Sequence, residues 1–200
     1  MAIATVRPAV PTDVDEIVRI QAVTWAVAYA ELVPVTALRE LDGAAARAAW
    51  SAAVGVADDR HHVFVAAEGT QTVGFCAAVA ADDTPDAELT TSGNGLPTTR
   101  PELGAWDWGE INTLLVEPRW GRRGHAGRLL AAAAEALRGS GARYGLAWVP
   151  EPDQVSQRFY TRAGWEPDGG ARILDTGAGT FREIRLTGSL ELKLHPPDTR

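Results

Sequence analysis

The 200-residue sequence is short of cysteine, of positive charge and of long apolar runs, and each shortage removes a class of protein. Its single cysteine, Cys76, cannot close an internal disulfide, so a reducing compartment is expected. Cys76 lies in the apolar, strand-like run Thr72 to Val79 and is expected to fill core rather than act as a nucleophile. Lys and Arg number 19 against 26 Asp and Glu, a formal charge of −7. That balance argues against a nucleic-acid partner, which calls for a basic face, and favours a cationic one. No apolar run approaches the ~20 residues of a membrane span, and the opening residues Met1 to Pro8 lack a signal-peptide pattern. The expectation is a cytoplasmic protein with no membrane partner. His61, His62 and His195 show no metal-ligand spacing, so no metal is expected.

Two phosphate-binding motifs are missing as well. No Gly-Lys-Ser/Thr triplet occurs, which excludes a P-loop. Gly121, Gly124 and Gly127 are spaced by threes, unlike the Gly-x-Gly-x-x-Gly of dinucleotide folds. What is present is ordinary for one globular domain: 46% hydrophobic and 22% charged residues, with no internal repeat and no second-domain boundary. A single domain is expected over 1–200, with an ordered core over 3–195.

The chain is organised around Glu110 to Leu130. An apolar strand ends at Pro118, a turn holds the three glycines, and a helix follows with Leu129, Leu130, Ala133 and Leu137 on one face. Backbone N–H groups in such a turn point into one concavity, and the helix adds its unpaired first-turn donors and positive dipole end. Arg122, Arg123 and Arg128 place three guanidinium groups beside it. From the glycines alone two readings stand: a site for a phosphorylated ligand, or a strand–turn–helix with glycines for tight packing.

Val116-x-Pro118, Gly121-Arg-Arg-Gly-His-Ala126 and Leu129-Leu130 resemble the acetyl-coenzyme A signature of the GNAT N-acetyltransferase family, Gln/Arg-x-x-Gly-x-Gly/Ala. Gly124 and Ala126 fill its last two fixed places, whereas Gly121 stands where the family has Gln or Arg. Phe159-Tyr160-x-x-x-Gly164-Trp165 resembles the second GNAT signature, with Ser156 where the family often carries Asn. The resemblance implies acetyl-coenzyme A as acyl donor. It implies cofactor contacts from Leu115, Val116, Arg122, Arg123, Gly124, His125, Ala126, Gly127, Arg128 and Ser156, and the family has an apolar or small residue facing protein where His125 stands. The implied fold is α+β: a central mixed, mostly antiparallel sheet, layered with helices, in which two parallel strands splay apart.

The rest of the chain reads in the same order. Ile3 to Arg7 is an opening strand, and Thr12 is placed to cap a first helix carrying Trp25 and Tyr29. These two aromatics read either as core or as a substrate wall, and the family places substrate-side helices here. Pro34 opens a second helix that Gly43 ends, and Ala44 to Val54 forms a third. A hairpin spans 63–79, and a long acidic connection follows over 81–108, holding Asp82, Asp83 and Asp86, which reads as a solvated loop or as a flank attracting a cationic amine. Tyr144 to Val149 is a strand, joined to the central strand by a crossover that makes the two parallel. Asp153 to Arg162 is a short helix. Ile184, Leu186, Leu190, Leu192 and Leu194 alternate as a final strand, paired with residues 171–175.

The implied reaction is acetyl transfer to a primary amine of a small molecule or peptide, by direct attack. The amine must lose a proton, the leaving thiolate gains one, and the oxyanion needs N–H donors. The resemblance assigns Glu110 as general base, Tyr160 as general acid, and the backbone of Leu115 or Val116 as the oxyanion donor. Read without it, Glu110 is a solvated charge and Tyr160 an aromatic plug. A non-catalytic acyl-coenzyme A binding module on the same fold is the alternative function, and a homodimer is expected from the family.

Overall fold

A computed structural model of the chain describes residues 4–56, 58–80, 107–175 and 180–192. Seven strands form one sheet: β1 (Ala4–Pro8), β2 (His61–Glu68), β3 (Gln71–Ala80), β4 (Trp108–Val116), β5 (Tyr144–Pro150), β6 (Glu166–Asp175) and β7 (Thr180–Ser189), in the spatial order β1-β2-β3-β4-β5-β7-β6. Every neighbouring pair is antiparallel except β4 and β5, which are parallel. The expected crossover makes that pair parallel: α4 (His125–Gly139) carries the chain from one strand to the other. The remaining helices are α1 (Val14–Ala28), α2 (Val35–Glu40), α3 (Ala44–Gly55) and α5 (Gln154–Arg162).

Strand alternation sends neighbouring residues to opposite sides and defines two cores. Val65 and Phe75 pack against Ile17 and Ile20 of α1, with Trp50 and Val54 of α3 closing the same side. Their neighbours Ala66 and Cys76 face the other way, onto Leu129, Leu130, Ala133 and Leu137 of α4 and onto Tyr160 and Trp165. Each of the large buried side chains contributes about 1.5–3 kcal/mol of apolar burial. Cys76 is fully buried as core filler, and burial pushes its thiol well above the ordinary range.

The parallel pair is incomplete. Trp108 to Ile111 pair with Tyr144 to Ala147 and no further, although β4 continues to Val116 and β5 to Pro150. The cause lies on the other edge of β4. Ala77 sits opposite Thr113 and Ala78 opposite Ile111, so Asn112 is one residue too many. Such a bulge bends its strand and raises the local twist. β4 follows β3 as far as Val116 and turns away from β5.

Several local expectations need correction. Thr12 does not cap α1: Pro11–Asp13 form a single 3-10 turn, and Asp13 precedes the helix. The Asp13 carboxylate accepts from the backbone N–H of Val10 at 2.8 Å and from both terminal nitrogens of Arg7 at 2.6 and 2.8 Å. A carboxylate that ties the turn to β1 outweighs a hydroxyl cap. Gly43 does not end α2, which stops at Glu40; it precedes α3. β7 ends at Ser189, short of the expected alternation; Leu190 is buried and Leu192 packs on the core without strand pairing, while Leu194 lies outside the described residues. So does the acidic connection 81–106, with Asp82, Asp83 and Asp86.

Trp165 is fully buried and explains two glycines. Gly145 of β5 and Gly188 of β7 are register partners, and a Cβ on either would run into the indole of Trp165. The ring lies across this glycine pair and donates from Nε1 to the carbonyl of Ser189 at 3.1 Å. Gly145→Ala is therefore expected to cost about 1–3 kcal/mol by overpacking, measured by urea denaturation. Asp13→Ala is expected to cost about 2 kcal/mol at neutral pH. The hydrogen bonds from Arg7 hold the Asp13 carboxyl below its ordinary value. Its stabilisation is thus complete above the unfolded value of ~3.9 and lost as pH falls through the folded one, so the wild type and variant should converge in acid denaturation.

Candidate active site

The glycine turn lies at the end of β4. Glu117 anchors its start: this buried carboxylate meets Arg19 of α1 at 2.9 Å and Arg119 at 2.7 Å. Burial alone would raise its pKa, but the two guanidinium groups hold it low. The turn then passes through Arg122 at φ 61°, the one non-glycine residue with positive φ among those described, and Gly124 at φ 81°. A non-glycine residue in this region costs about 1 kcal/mol or more and marks a conformation imposed by its surroundings. Gly124 precedes α4, and no side chain among the described residues caps that helix, so its first-turn amides, from His125, Ala126 and Gly127, are available to an anion. Arg128 folds back, donating from Nη1 to the carbonyl of Arg123 at 3.0 Å, and a Cβ on Gly124 would sit 3.1 Å from that nitrogen.

The three arginines are not equivalent. Arg122 is exposed, and Arg128 lies over Gly124. Arg123 instead pairs with Glu68 of β2 at 2.9 Å and stacks over Trp120 at 4.7 Å. His125 is buried, as a residue facing protein should be, and its Nε2 meets the other Glu68 oxygen at 3.0 Å.

From this turn β4 leads back to the opening. Leu115 turns its side chain to the α1–α3 side and Val116 to the α4 side, so their backbone edge toward β5 has no strand partner among the described residues. Glu110 is half-buried in the fourth of seven strands. Gly109 lies against Leu137 of α4, and Ile111 joins the α4 core. Glu110, between them, faces the opposite side together with Trp108.

Tyr160 approaches from the α4 side. α5 ends in a Schellman turn: Gly164 has φ 91°, its N–H donates to the carbonyl of Thr161 at 3.0 Å, and the Trp165 N–H to that of Tyr160 at 3.0 Å. This fold-back stacks Trp165 on Tyr160, ring centroids 5.3 Å apart and 17° from parallel. Burial, and then the nearby Cys76, Tyr29 and Asp153, raise the Tyr160 pKa well above its ordinary value of 10.

Asp153 is the residue that sequence reasoning missed. Its Oδ1 accepts from the amides of Val155 and Ser156 at 3.1 and 3.0 Å, capping α5. Its Oδ2 accepts from the Ser156 hydroxyl at 2.7 Å and from the Tyr29 hydroxyl at 2.9 Å. The Asp-x-x-Ser spacing before a helix was the available signal. Ser156, among the implied cofactor contacts, has its one O–H already engaged by Asp153, and only its lone pairs remain. Tyr29 stands edge-on to Trp25, centroids 5.2 Å apart. Its hydroxyl joins α1, on one side of the sheet, to α5, on the other, at the open end of the β4–β5 pair. Among the described residues, no group of three or more His, Cys, Asp or Glu is placed to hold a metal ion, and no helix is long and apolar enough to cross a membrane.

A mixed sheet parted at one parallel pair, with a glycine turn feeding a helix at its open end, defines the GNAT class of acetyltransferase fold. The model of the Acetyltransferase (GNAT) family matches residues 25–165, and the chain belongs to that family. The chain is similar to the PaiA N-acetyltransferase of Thermoplasma acidophilum, solved in complex with coenzyme A, with a TM-score of 0.68 and 12% identity over 94% of this chain and 99% of the other. It is similar to an N-acetyltransferase from Staphylococcus aureus Mu50, TM-score 0.62 and 14% identity over 94% and 99%. It is also similar to the ribosomal-protein-S18-alanine N-acetyltransferase of Escherichia coli, TM-score 0.61 and 12% identity over 99% of both chains. These are likenesses of fold. No curated protein matches the sequence significantly.

Asp153→Ala removes the α5 cap and the acceptor of Tyr29 together, with an expected cost of about 1–2 kcal/mol. Tyr29→Phe should cost less in that background than in the wild type, a coupling that a double-mutant cycle in urea reads directly.

Proposed function

We propose that this protein transfers the acetyl group of acetyl-coenzyme A to a primary amine of a small molecule or peptide, by direct attack in a ternary complex. The observation that carries the proposal is the opening between β4 and β5, with Glu110 on one side of the sheet, Tyr160 on the other and the glycine turn at its end. A relative solved with coenzyme A supports the choice of donor.

The phosphates of the donor lie against the amides after Gly124, with Arg122 and Arg128 beside them. Its pantetheine arm pairs with the unpartnered edge of β4 as an added strand does, and Ser156 accepts a hydrogen bond from an arm amide. The amine approaches past Trp25 and Tyr29 and loses a proton to Glu110 through water. Its nitrogen attacks the thioester carbon, and the Leu115 or Val116 N–H holds the oxyanion. On collapse the carbon–sulfur bond breaks, and Tyr160 protonates the departing thiolate.

The overall charge of −7 favours a cationic acceptor. The same reading places the protein in the cytoplasm, supported by its one buried thiol, and assigns a homodimer contact to the edge strand β6, where Ile173 is exposed.

Two measurements test this. Acetyl-coenzyme A at ~100 times its Kd should stabilise the fold by about 2.7 kcal/mol in thermal unfolding, and ATP should not. Glu110→Gln and Tyr160→Phe should each lower kcat by ~10²-fold or more with little change in donor affinity. Binding without amine acetylation, and no response to either substitution, would leave the non-catalytic acyl-coenzyme A binding module in its place.

A further inference from the structure

Glu68 sits where a phosphate site would least be expected to tolerate a carboxylate. It ends β2, beside the β2–β3 turn, and reaches the glycine turn from 55 and 57 residues away in sequence. One carboxylate oxygen holds Arg123 and the other His125, the two residues that flank Gly124. The His125 side chain is 1% exposed and that of Glu68 17%. A carboxylate only accepts, so the imidazole carries a proton on Nε2, and Nδ1 is buried with no partner among the described residues. The backbone is left-handed at Gly124, between these anchored residues, and at Arg122, immediately before them.

We propose that Glu68 is a positioning residue for the phosphate-binding turn, clamping Arg123 and His125 so that the amides beginning α4, together with Arg122 and Arg128, converge on the donor's phosphates. This rests on the acetyl-coenzyme A reading above. Arg123 then serves the turn rather than the ligand. The left-handed Arg122 fits this role, because a residue held off its preferred backbone needs support from outside its own loop. The clamp also answers the missing Gln or Arg at Gly121: the turn has lost a side chain on its own segment and is braced from the neighbouring hairpin.

The sign of one substitution decides between this role and its opposite. Glu68→Gln removes a negative charge close to where phosphates bind and frees Arg123. If Glu68 merely competes with the ligand, acetyl-coenzyme A binds tighter. If Glu68 positions the turn, it binds more weakly, by about tenfold in Kd. The measurement is calorimetric titration of wild type and Glu68→Gln with acetyl-coenzyme A and with S-acetylpantetheine, which has the same thioester arm and no phosphate. The expected result is a tenfold loss confined to acetyl-coenzyme A. Unchanged or tighter acetyl-coenzyme A binding, or an equal loss for both compounds, would overturn the proposal. Should Glu68→Gln not fold, Glu68→Asp, one methylene shorter, serves in its place and should show the same selective loss. A folded wild type that binds neither compound refutes the donor reading itself, an outcome separate from all of these.

Discussion

The structure depends on one broken ladder. β4 and β5 pair over four residues and then part, because Asn112 is an extra residue against β3 and swings the end of β4 away. A closed sheet separates its two sides completely. Here the two sides meet in the middle of the sheet, at the fourth and fifth of seven strands. Everything chemically notable gathers at that opening. Glu110 and the α1 aromatics stand on one side, Tyr160 and α5 on the other, and the glycine turn at the end. The edge of β4 that has no strand partner among the described residues would be a liability in a closed core. In the proposed reaction it becomes the surface on which the donor lies.

The supports of the opening are built from ordinary parts. Trp165 is set by a pair of glycines, by the Schellman turn that ends α5 and by one hydrogen bond to Ser189, and it in turn fixes the plane of Tyr160. Asp153 caps α5 and receives Tyr29, so the helix bearing Tyr160 and the end of the helix bearing Trp25 are fastened to one carboxylate. Glu117 fixes the end of β4 to Arg19 of α1.

Much of this was legible in the sequence, where the signal was local. The order of elements, the parallel crossover, the glycine turn and the aromatic pair before Gly164-Trp165 all follow from periodicity, turn residues and two family signatures. What was not legible depends on long-range partners. Nothing in Arg122-Arg123-Gly124 says that Arg123 will turn to Glu68 while Arg122 takes a left-handed backbone. Ser156 looks available until Asp153 is seen to take its proton. Thr12 is a good cap in isolation and loses because Asp13 finds Arg7 in a neighbouring strand. The bulge at Asn112 leaves no mark in composition, since it is a mismatch between two strands rather than a property of either. Local propensity fixes elements; the register between them fixes the site.

The central claim is that the parted edge of β4 receives the donor's arm. Amide hydrogen exchange with and without acetyl-coenzyme A tests it residue by residue. The account predicts slowed exchange at Thr113 to Val116 and at His125 to Gly127, with β1 and β6 unaffected. Bound ligand that leaves the amides of Thr113 to Val116 exchanging at their free rates would contradict it.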